Sequence, residues 1–415
     1  MHEKIVLKNG VRIVHEHMPH VRTVSVGIWV GVGSRFEKRS QNGTAHFIEH
    51  MLFKGTQSRT AAELAAEMDS IGGQINAFTT REATCFYARV LDSHLVPAID
   101  LLSDMLFNSK FDTLDIDNER GVICEEIDMY DDTPDDMVAE RMISRSFPTA
   151  LGRPVLGTKT TLKKIDSQVL LGFMDEHYTP ERIVVALSGN FSQEHLAHIE
   201  SLFSPLKKTR LKKPKSAEYT PSFTLKRKSI EQNHLCLGFP GISATDSSRF
   251  ALQILSTVFG GGMSSRLFQT VREQNGLCYS IYSFNSSFSE TGMFAIATAL
   301  GRDTEQRAVE LIMRELEKLR SDGITAEELS RAREQAKAGI LMALESTSSR
   351  MNRIGFGELY LGGSLSTDEV IERYDLVTLD DIKDLAQKLL DPKAMSFSAV
   401  GKVSAEDIYK KALNM

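Results

Sequence analysis

The sequence predicts an α+β protein of two homologous domains, each a mixed sheet packed with helices, which together form a clamshell. At 415 residues the chain is longer than one hydrophobic core usually serves. Two patterns also recur along it: a strand followed by a helix begins at Thr84 and again at Gly292, and a second strand begins near Glu181 and again near Lys393. Both repeats are offset by 208 to 212 residues, which indicates that one unit has been duplicated.

The boundary between the two copies is marked by a basic stretch that contains proline. It begins LKKTRLKKPKS at Leu206, and another proline follows shortly after it. Such a composition buries little surface and favours an extended, solvated connection. We therefore predict an N-terminal domain at 1–205, a linker at 206–221 and a C-terminal domain at 222–415.

Within the first copy, strands and helices follow one another without a regular alternation. Apolar residues at a period of two predict strands, and a period of 3.6 with glycine at the end predicts helices. In chain order the predicted elements are the strand TVSVGIWVGVGS, the helices Thr44–Phe53 and AELAAEMDSIGG, two strands in QINAFTTREATCFYARVL, and the helices LVPAIDLLSDML and NERGVICEEIDMYDD. This mixture predicts domains in which helices cover a sheet.

Composition argues against several classes of protein. A net charge of -6 is opposite in sign to the basic surface that broad nucleic-acid binding requires. No apolar run reaches the roughly 18 residues of a membrane span, and the first residues lack a signal-peptide core. The 4 cysteines have no C-x-x-C spacing and are typical of reduced thiols. We expect a cytoplasmic protein that binds neither membranes nor nucleic acids.

The segment TAHFIEHMLFKGT contains the strongest chemical signal in the chain. On a helix, His46 and His50 lie one turn apart on the same face and can bind one tetrahedral zinc ion. Glu49 points near the same spot, where it can act as a general base towards a metal-activated water. This H-x-x-E-H order reverses the commoner H-E-x-x-H of zinc peptidases. The alternative is a helix whose histidines are hydrogen-bonded or solvent-facing, and a third ligand would decide between the two.

Three glutamates on one predicted helix are candidates for that third ligand. Glu119 and Glu126 are seven residues apart and share a face, whereas Glu125 is turned roughly 100° away by the helical period. Catalytic zinc sites usually have three protein ligands and leave one position open to water. The spacing alone leaves open whether Glu125 or the other pair faces the metal.

With these residues the chain resembles the pitrilysin family of zinc peptidases, in particular bacterial relatives of the mitochondrial processing peptidase catalytic (beta) subunit. In that family a glutamate about 76 residues after the last histidine completes the site, and here that residue is Glu126. The resemblance implies that Glu119, seven residues earlier, supports the ligand and the water. It also implies that Glu125 has no part in the site.

The same resemblance implies a set of substrate-binding residues. Asn76, Ala77 and Phe78 correspond to a sheet edge onto which the substrate backbone adds as an extra strand. In the second copy, Arg272 and Tyr279 have the family's spacing of seven residues. Arg272 is then expected to bind a substrate carbonyl, and the Tyr279 hydroxyl to stabilise the tetrahedral oxyanion.

The resemblance implies a zinc-dependent metalloendopeptidase that hydrolyses peptides or unfolded segments, with Glu49 as general base. It implies one Zn²⁺ per chain, for which other divalent transition metals can substitute. It also implies a dimer, either a homodimer or a heterodimer with an inactive homologue.

The duplication provides an internal test of which copy carries the chemistry. Adding the offset to the histidine motif leads to LSTVF, and adding it to Glu126 leads near Gln335, so the second copy retains no ligand. We therefore expect an inactive C-terminal domain that contributes to substrate binding. Two alternatives remain: a non-catalytic scaffold or partner subunit similar to processing peptidases, and a structural zinc site, which would need a fourth protein ligand.

Overall fold

The computed structural model describes residues 2–208, 211 and 213–413 and divides into two compact units. The first unit comprises Met1–Ile127, Arg153–Lys215 and Leu341–Ser366. The second comprises the remaining segments, Asp128–Gly152, Ser216–Ile340 and Thr367–Met415. Each unit is therefore assembled from three separate stretches of the chain.

The strands form two mixed sheets. In chain order they are β1 (Glu3–Val6), β2 (Arg12–His17), β3 (Thr23–Val30), β4 (Gln74–Thr79), β5 (Thr84–Leu91), β6 (Ile183–Gly189), β7 (Phe223–Arg227), β8 (Asn233–Pro240), β9 (Cys278–Ser287), β10 (Gly292–Leu300) and β11 (Ser396–Gly401). The first sheet has the order β1-β2-β6-β3-β5-β4, and the second has the order β7-β11-β8-β10-β9. In each sheet one pair is parallel, β2 with β6 and β7 with β11, and the other pairs are antiparallel.

Helices account for most of the remaining chain. They are α1 (Thr44–Met51), α2 (Ala61–Ser70), α3 (Leu95–Asn108), α4 (Thr113–Asp131), α5 (Pro134–Ser146), α6 (Lys159–Leu162), α7 (Ser167–His177), α8 (Gln193–Phe203), α9 (Arg249–Gly260), α10 (Glu305–Asp322), α11 (Ala326–Ala343), α12 (Thr347–Leu361), α13 (Thr367–Leu376), α14 (Leu379–Leu389) and α15 (Glu406–Leu413). Short 3-10 turns lie at Ser34–Phe36, Arg39–Gln41, Asp92–His94, Pro180–Arg182 and Pro392–Ala394, and a π-helix lies at Phe268–Glu273.

The two sheets share one topology. Without β1, the first sheet reads β2-β6-β3-β5-β4, and each of its strands has a counterpart in the second sheet with the same neighbours and the same direction of pairing. This agreement supports duplication of a single unit. The predicted α+β class, with two related mixed sheets packed with helices, is confirmed.

The predicted linker lies partly outside the described residues, since 209, 210 and 212 belong to it. Its described residues form neither helix nor strand. A catalytic, metal-binding domain at 1–205 and an inactive, substrate-binding domain at 222–415 stay predictions. None of the helices in the described part of the chain combines the length and apolarity that crossing a bilayer requires.

Alternate residues of β3 face opposite sides of the first sheet. Val26 and Ile28 pack in the main core of the first unit together with Phe47 of α1. Trp29 points to the other side, where it packs with Met351 of α12. Both faces of this sheet are therefore covered, which explains the almost continuous apolar run of β3.

Each unit contains a helix from the distant half of the sequence. Helix α12 packs on β3 and β6 of the first unit, where Thr347 Oγ1 lies 2.9 Å from Ser25 Oγ. Helix α5 lies in the first half of the chain but packs on β11 of the second unit, with Met142 beside Val400. Sequence periodicity did not predict this exchange, because it reports which face of a helix is apolar and not which sheet covers that face.

Gly355 permits the close approach of α12 to the first sheet. A Cβ atom at this position would lie 2.4 Å from Trp29 Nε1, inside a packed cluster. We predict that Gly355→Ala lowers the free energy of unfolding of the first unit by about 1–3 kcal/mol through overpacking. Urea titration of the protein, followed by Trp29 fluorescence, measures the change.

The matched control is Gly172→Ala on helix α7 of the same unit, where a Cβ atom would have no neighbour within 4 Å. Because alanine is the better helix former, this variant should gain up to about 1 kcal/mol. If both variants shifted the unfolding midpoint equally, close packing at Gly355 would not be the cause.

Candidate active site

Helix α1, which carries the histidine motif, begins with the help of a buried carboxylate. Gly43, with a φ of 101°, turns the chain into the helix and has no side chain to cap it. Glu37 supplies the cap instead: Oε2 accepts the Gly43 N–H at 2.8 Å, and Oε1 accepts the Ala45 N–H at 2.8 Å. Asn42 Nδ2 also donates to Oε2, at 2.7 Å. A carboxylate here satisfies the free N–H groups and faces the positive end of the helix dipole.

The core fixes the rotation of α1 about its axis. Phe47, Ile48 and Met51 have no solvent exposure and pack in the core of the first unit. His46 is 7% exposed, and His50 is partly exposed one turn later. Their imidazole centroids are 4.6 Å apart, so the two rings meet at one position beside the helix.

Glu126 approaches both histidines from helix α4. Its Oε2 lies 3.6 Å from His46 Nε2 and 3.7 Å from His50 Nε2. All three ligand atoms lie within 4.8 Å of one another, and no other group of three His, Cys, Asp or Glu residues in the described part of the chain meets that condition. These separations are close to the roughly 3.3 Å edge of a tetrahedron built from zinc bonds of about 2.0–2.1 Å.

Helix α4 places two of its three glutamates beside the histidines. Glu119 lies on the same face as Glu126, and its Oε2 is 2.9 Å from His50 Nδ1. Its other oxygen, Oε1, is 2.5 Å from Lys54 Nζ. Glu125 is exposed and outside the cluster. The helical period accounts for this placement, because Glu119 and Glu126 are two turns apart and Glu125 is rotated away from them.

The donor set fits a divalent cation. Burial, and secondarily the neighbouring His50, lower the pKa of His46 to about 3, so its imidazole is neutral and keeps a free lone pair at neutral pH. Burial also raises the pKa of Glu126, which His50 partly offsets. Two imidazole nitrogens and one carboxylate, with no fourth protein ligand among the described residues, match the open donor set of catalytic zinc sites.

Glu49 lies beside this cluster without joining it. Its side chain is partly buried, and its Oε2 accepts a hydrogen bond of 2.5 Å from Thr79 Oγ1. Burial raises the pKa of Glu49, whereas the Thr79 hydrogen bond and the charge of His50 act in the opposite direction. The carboxylate is therefore held next to the position where the three ligand atoms meet.

The predicted substrate strand is an edge strand. β4 pairs with β5 on one side only and carries Asn76, Ala77 and Phe78. The Ala77 N–H donates to Asn76 Oδ1 at 2.8 Å, and the Phe78 ring lies against Trp29 with centroids 5.4 Å apart. The structure thus places these three residues at a sheet edge, and their contact with substrate stays a prediction.

Arg272 and Tyr279 are neighbours in the second unit. Arg272 lies in the π-helix at Phe268–Glu273, and its guanidinium carbon is 4.9 Å from the centre of the Tyr279 ring. Tyr279 is 79% exposed at the start of β9. The predicted roles of both residues towards a substrate stay predictions.

Sequence reasoning missed Glu37, Lys54 and Thr79 as parts of the site. Lys54 follows His50 by four residues, a spacing that can be read from the sequence, but its partner Glu119 is distant along the chain. Glu37 contacts helix α1 from the segment that precedes it, and Thr79 contacts Glu49 from strand β4. Only the folded chain brings these residues to the motif.

Two consecutive segments of the chain match two family profiles. Residues 12–159 match the profile described as insulinase (peptidase family M16), and residues 164–336 match the profile described as peptidase M16 inactive domain. A relative from Bacillus subtilis, named uncharacterized zinc protease YmxG, is 43% identical over 394 residues, which cover 94% of this chain and 96% of the relative.

Solved structures share the fold at low sequence identity. The structure described as a peptidase M16 inactive domain from Pseudomonas fluorescens has a TM-score of 0.90 at 19% identity, covering 97% of this chain and 99% of that chain. A chain of complex III2 from Candida albicans has a TM-score of 0.86 at 20% identity, covering 99% of both chains. At such identities the likeness extends to the fold alone.

The buried cap at Glu37 predicts a pH dependence of stability. Burial raises the pKa of Glu37 from 4.5 to about 7, although its hydrogen-bond donors and Arg153 favour the ionised form. Because the folded state then holds the proton more tightly, the contribution of this group to stability is complete below about pH 4.5 and is lost as the pH rises through 7.

We therefore predict that the wild type loses stability relative to Glu37→Gln between pH 5 and pH 8, by an amount on the order of 3 kcal/mol. Gln cannot titrate, so the difference between the two proteins isolates this carboxyl. Urea unfolding at a series of pH values measures it, and a difference that stayed constant across this range would contradict the assignment.

Proposed function

This chain belongs to peptidase family M16, and from that premise we propose that it is a zinc-dependent metalloendopeptidase acting on peptides or unfolded segments. Family membership confirms the resemblance inferred from the sequence. The observation that carries the proposed activity is the convergence of His46, His50 and Glu126 beside the carboxylate of Glu49. The name zinc protease, given to relatives from several bacteria, supports the same reading.

His46, His50 and Glu126 would hold the metal, one ion per chain. When bound there, zinc supplies a Lewis acid that polarises the scissile carbonyl and lowers the pKa of a water molecule to about 7. Glu119 fixes the ring of His50, because its contact with Nδ1 leaves Nε2 directed at Glu126. Lys54 balances the charge of Glu119.

Glu49 would transfer the protons. Its carboxylate accepts a proton from the attacking water and delivers it to the leaving amine nitrogen as the peptide bond breaks. Partial burial raises its pKa, which makes it a better proton acceptor than an exposed carboxylate. Thr79 occupies Oε2, so Oε1 is the oxygen available for this exchange.

The substrate would extend the first sheet. A peptide adding to the free edge of β4 would lie beside Asn76, Ala77 and Phe78, and backbone hydrogen bonds would bind it without strict side-chain preference. Arg272 would bind a substrate carbonyl and Tyr279 would stabilise the oxyanion, as the resemblance implies. Their mutual contact supports a joint role.

The second unit would bind substrate without a metal of its own. We also propose a cytoplasmic location and a dimer, formed with a second copy or with an inactive homologue. These two statements rest on the composition and on the resemblance.

The second candidate function is that of a non-catalytic scaffold or partner subunit. A chain of complex III2 from Candida albicans has the same fold, so the fold by itself is compatible with a subunit of a larger assembly. The cluster of both histidines and Glu126, with Glu49 beside it, favours the peptidase, because a scaffold requires none of these residues.

Glu49→Gln tests the proposed function most simply. We expect peptide cleavage to fall by roughly 10²–10⁴-fold with zinc content unchanged, because Gln keeps the shape but cannot accept the proton. Cleavage of a mixed peptide library is measured by mass spectrometry, with and without a chelator. Turnover by the variant at the wild-type rate would refute the base assignment, and chelator-resistant cleavage would refute the metallopeptidase.

Glu126→Gln tests the third ligand, with Glu125→Gln as its matched control on the same helix. We predict that only the Glu126 variant loses zinc on dialysis, with a drop in affinity of at least about tenfold, because a neutral amide is a poorer ligand than a carboxylate. Elemental analysis of the dialysed proteins gives zinc per chain. Equal retention by both variants would exclude Glu126 as a ligand.

A further inference from the structure

The carboxylate of Glu49 is positioned by a single hydroxyl group. Among the described residues, Thr79 is the one that donates a hydrogen bond to Glu49, from Oγ1 to Oε2 at 2.5 Å. The other oxygen, Oε1, receives no donor from the described residues. One fixed oxygen and one open oxygen is the arrangement that a proton-transfer group requires, because it must be oriented and yet accessible.

A second threonine, Thr84, lies beside this hydrogen bond. Thr84 pairs with Thr79 across β4 and β5, and their hydroxyl oxygens are 3.4 Å apart. Thr84 Oγ1 donates its hydrogen to the Val32 carbonyl at 3.0 Å. Since a hydroxyl has only one hydrogen, Thr84 cannot also donate to Thr79. The Thr79 hydrogen is directed at Glu49, because an ionised carboxylate can only accept and its Oε2 lies at 2.5 Å, whereas the Thr84 hydroxyl lies at 3.4 Å.

The position of Thr79 on its strand explains how it reaches the helix. Side chains alternate along β4, so Ile75, Ala77 and Thr79 share one face. Ile75 and Ala77 pack against the core that contains Phe47 of α1. Thr79 is the last residue of the strand and the polar residue on this face. Its hydroxyl therefore reaches the partly buried Glu49 and donates a hydrogen bond to it.

We propose that Thr79 is a positioning residue that orients Glu49 and connects this carboxylate to the edge strand β4. Its β-branched side chain has few rotamers, so the strand backbone determines where the hydroxyl points. A peptide that adds to β4 would restrict the motion of this strand. Through the Thr79 hydrogen bond it would also restrict the orientation of the Glu49 carboxylate. The inference rests on the proposed function, in which Glu49 is the base and β4 receives the substrate.

The test compares Thr79→Val, which keeps the shape but removes the hydroxyl, with Thr79→Ser, which keeps the hydroxyl. For Thr79→Val we expect kcat to fall about 10- to 100-fold, KM to change less than about threefold, and zinc per chain to stay at the wild-type value. Thr79→Ser should recover most of kcat. An unchanged kcat in Thr79→Val, or an equal loss in both variants, would overturn the proposal.

A second measurement needs neither metal nor activity. In metal-free protein, urea midpoints are compared for the wild type, Thr79→Val, Glu49→Ala and the double variant. If Thr79 bonds Glu49, the midpoint shift caused by Thr79→Val should be at least halved when Glu49 is already absent. Fully additive shifts would show that the two side chains do not interact and would overturn the proposal.

The two proposals can fail separately. If Glu49→Gln cleaves peptides normally, the proposed role of Glu49 fails whatever Thr79 does. If Glu49→Gln is inactive while Thr79→Val cleaves like the wild type, only the positioning role of Thr79 is rejected. A wild type without peptidase activity would reject the proposed function, and the metal-free comparison would still decide whether the contact exists.

Discussion

Burial of one face of helix α1 is the constraint on which the candidate site depends. Phe47, Ile48 and Met51 are held in the core, so the helix cannot rotate, and His46 and His50 must emerge together on the opposite side. The buried carboxylate of Glu37 holds the first turn of the same helix. The site is thus a consequence of packing: apolar contacts set its geometry before any ligand contributes.

The two units show how one fold can carry different chemistry. Their sheets share five strands in the same order and with the same directions, yet within the described residues only the first unit brings three ligand-type side chains together. Each unit also takes one helix from the other half of the sequence, α12 in the first and α5 in the second. The second copy has the same five-strand sheet, but the segment offset from the histidine motif, LSTVF, contains no histidine, cysteine or carboxylate that could bind a metal.

The sequence predicted what is local or periodic. The helix from Thr44, a strand at Asn76 and the shared face of Glu119 and Glu126 follow from side-chain periods. The position of that strand at a sheet edge was implied by the resemblance. The choice of Glu126 over Glu125 needed either the resemblance or the coordinates, because a period gives relative and not absolute orientation. The hydrogen bond between Thr79 and Glu49 spans 30 residues and two elements, so no local pattern contains it.

The central claim is that His46, His50 and Glu126 bind one zinc ion and leave a position open to water. Anomalous diffraction at the zinc edge, from crystals of the zinc-loaded protein, tests it most directly. We predict a single peak at about 2.0–2.2 Å from Nε2 of both histidines and from the Glu126 carboxylate, with no fourth protein ligand. An absent peak, a peak elsewhere, or a site closed by a fourth side chain would contradict it.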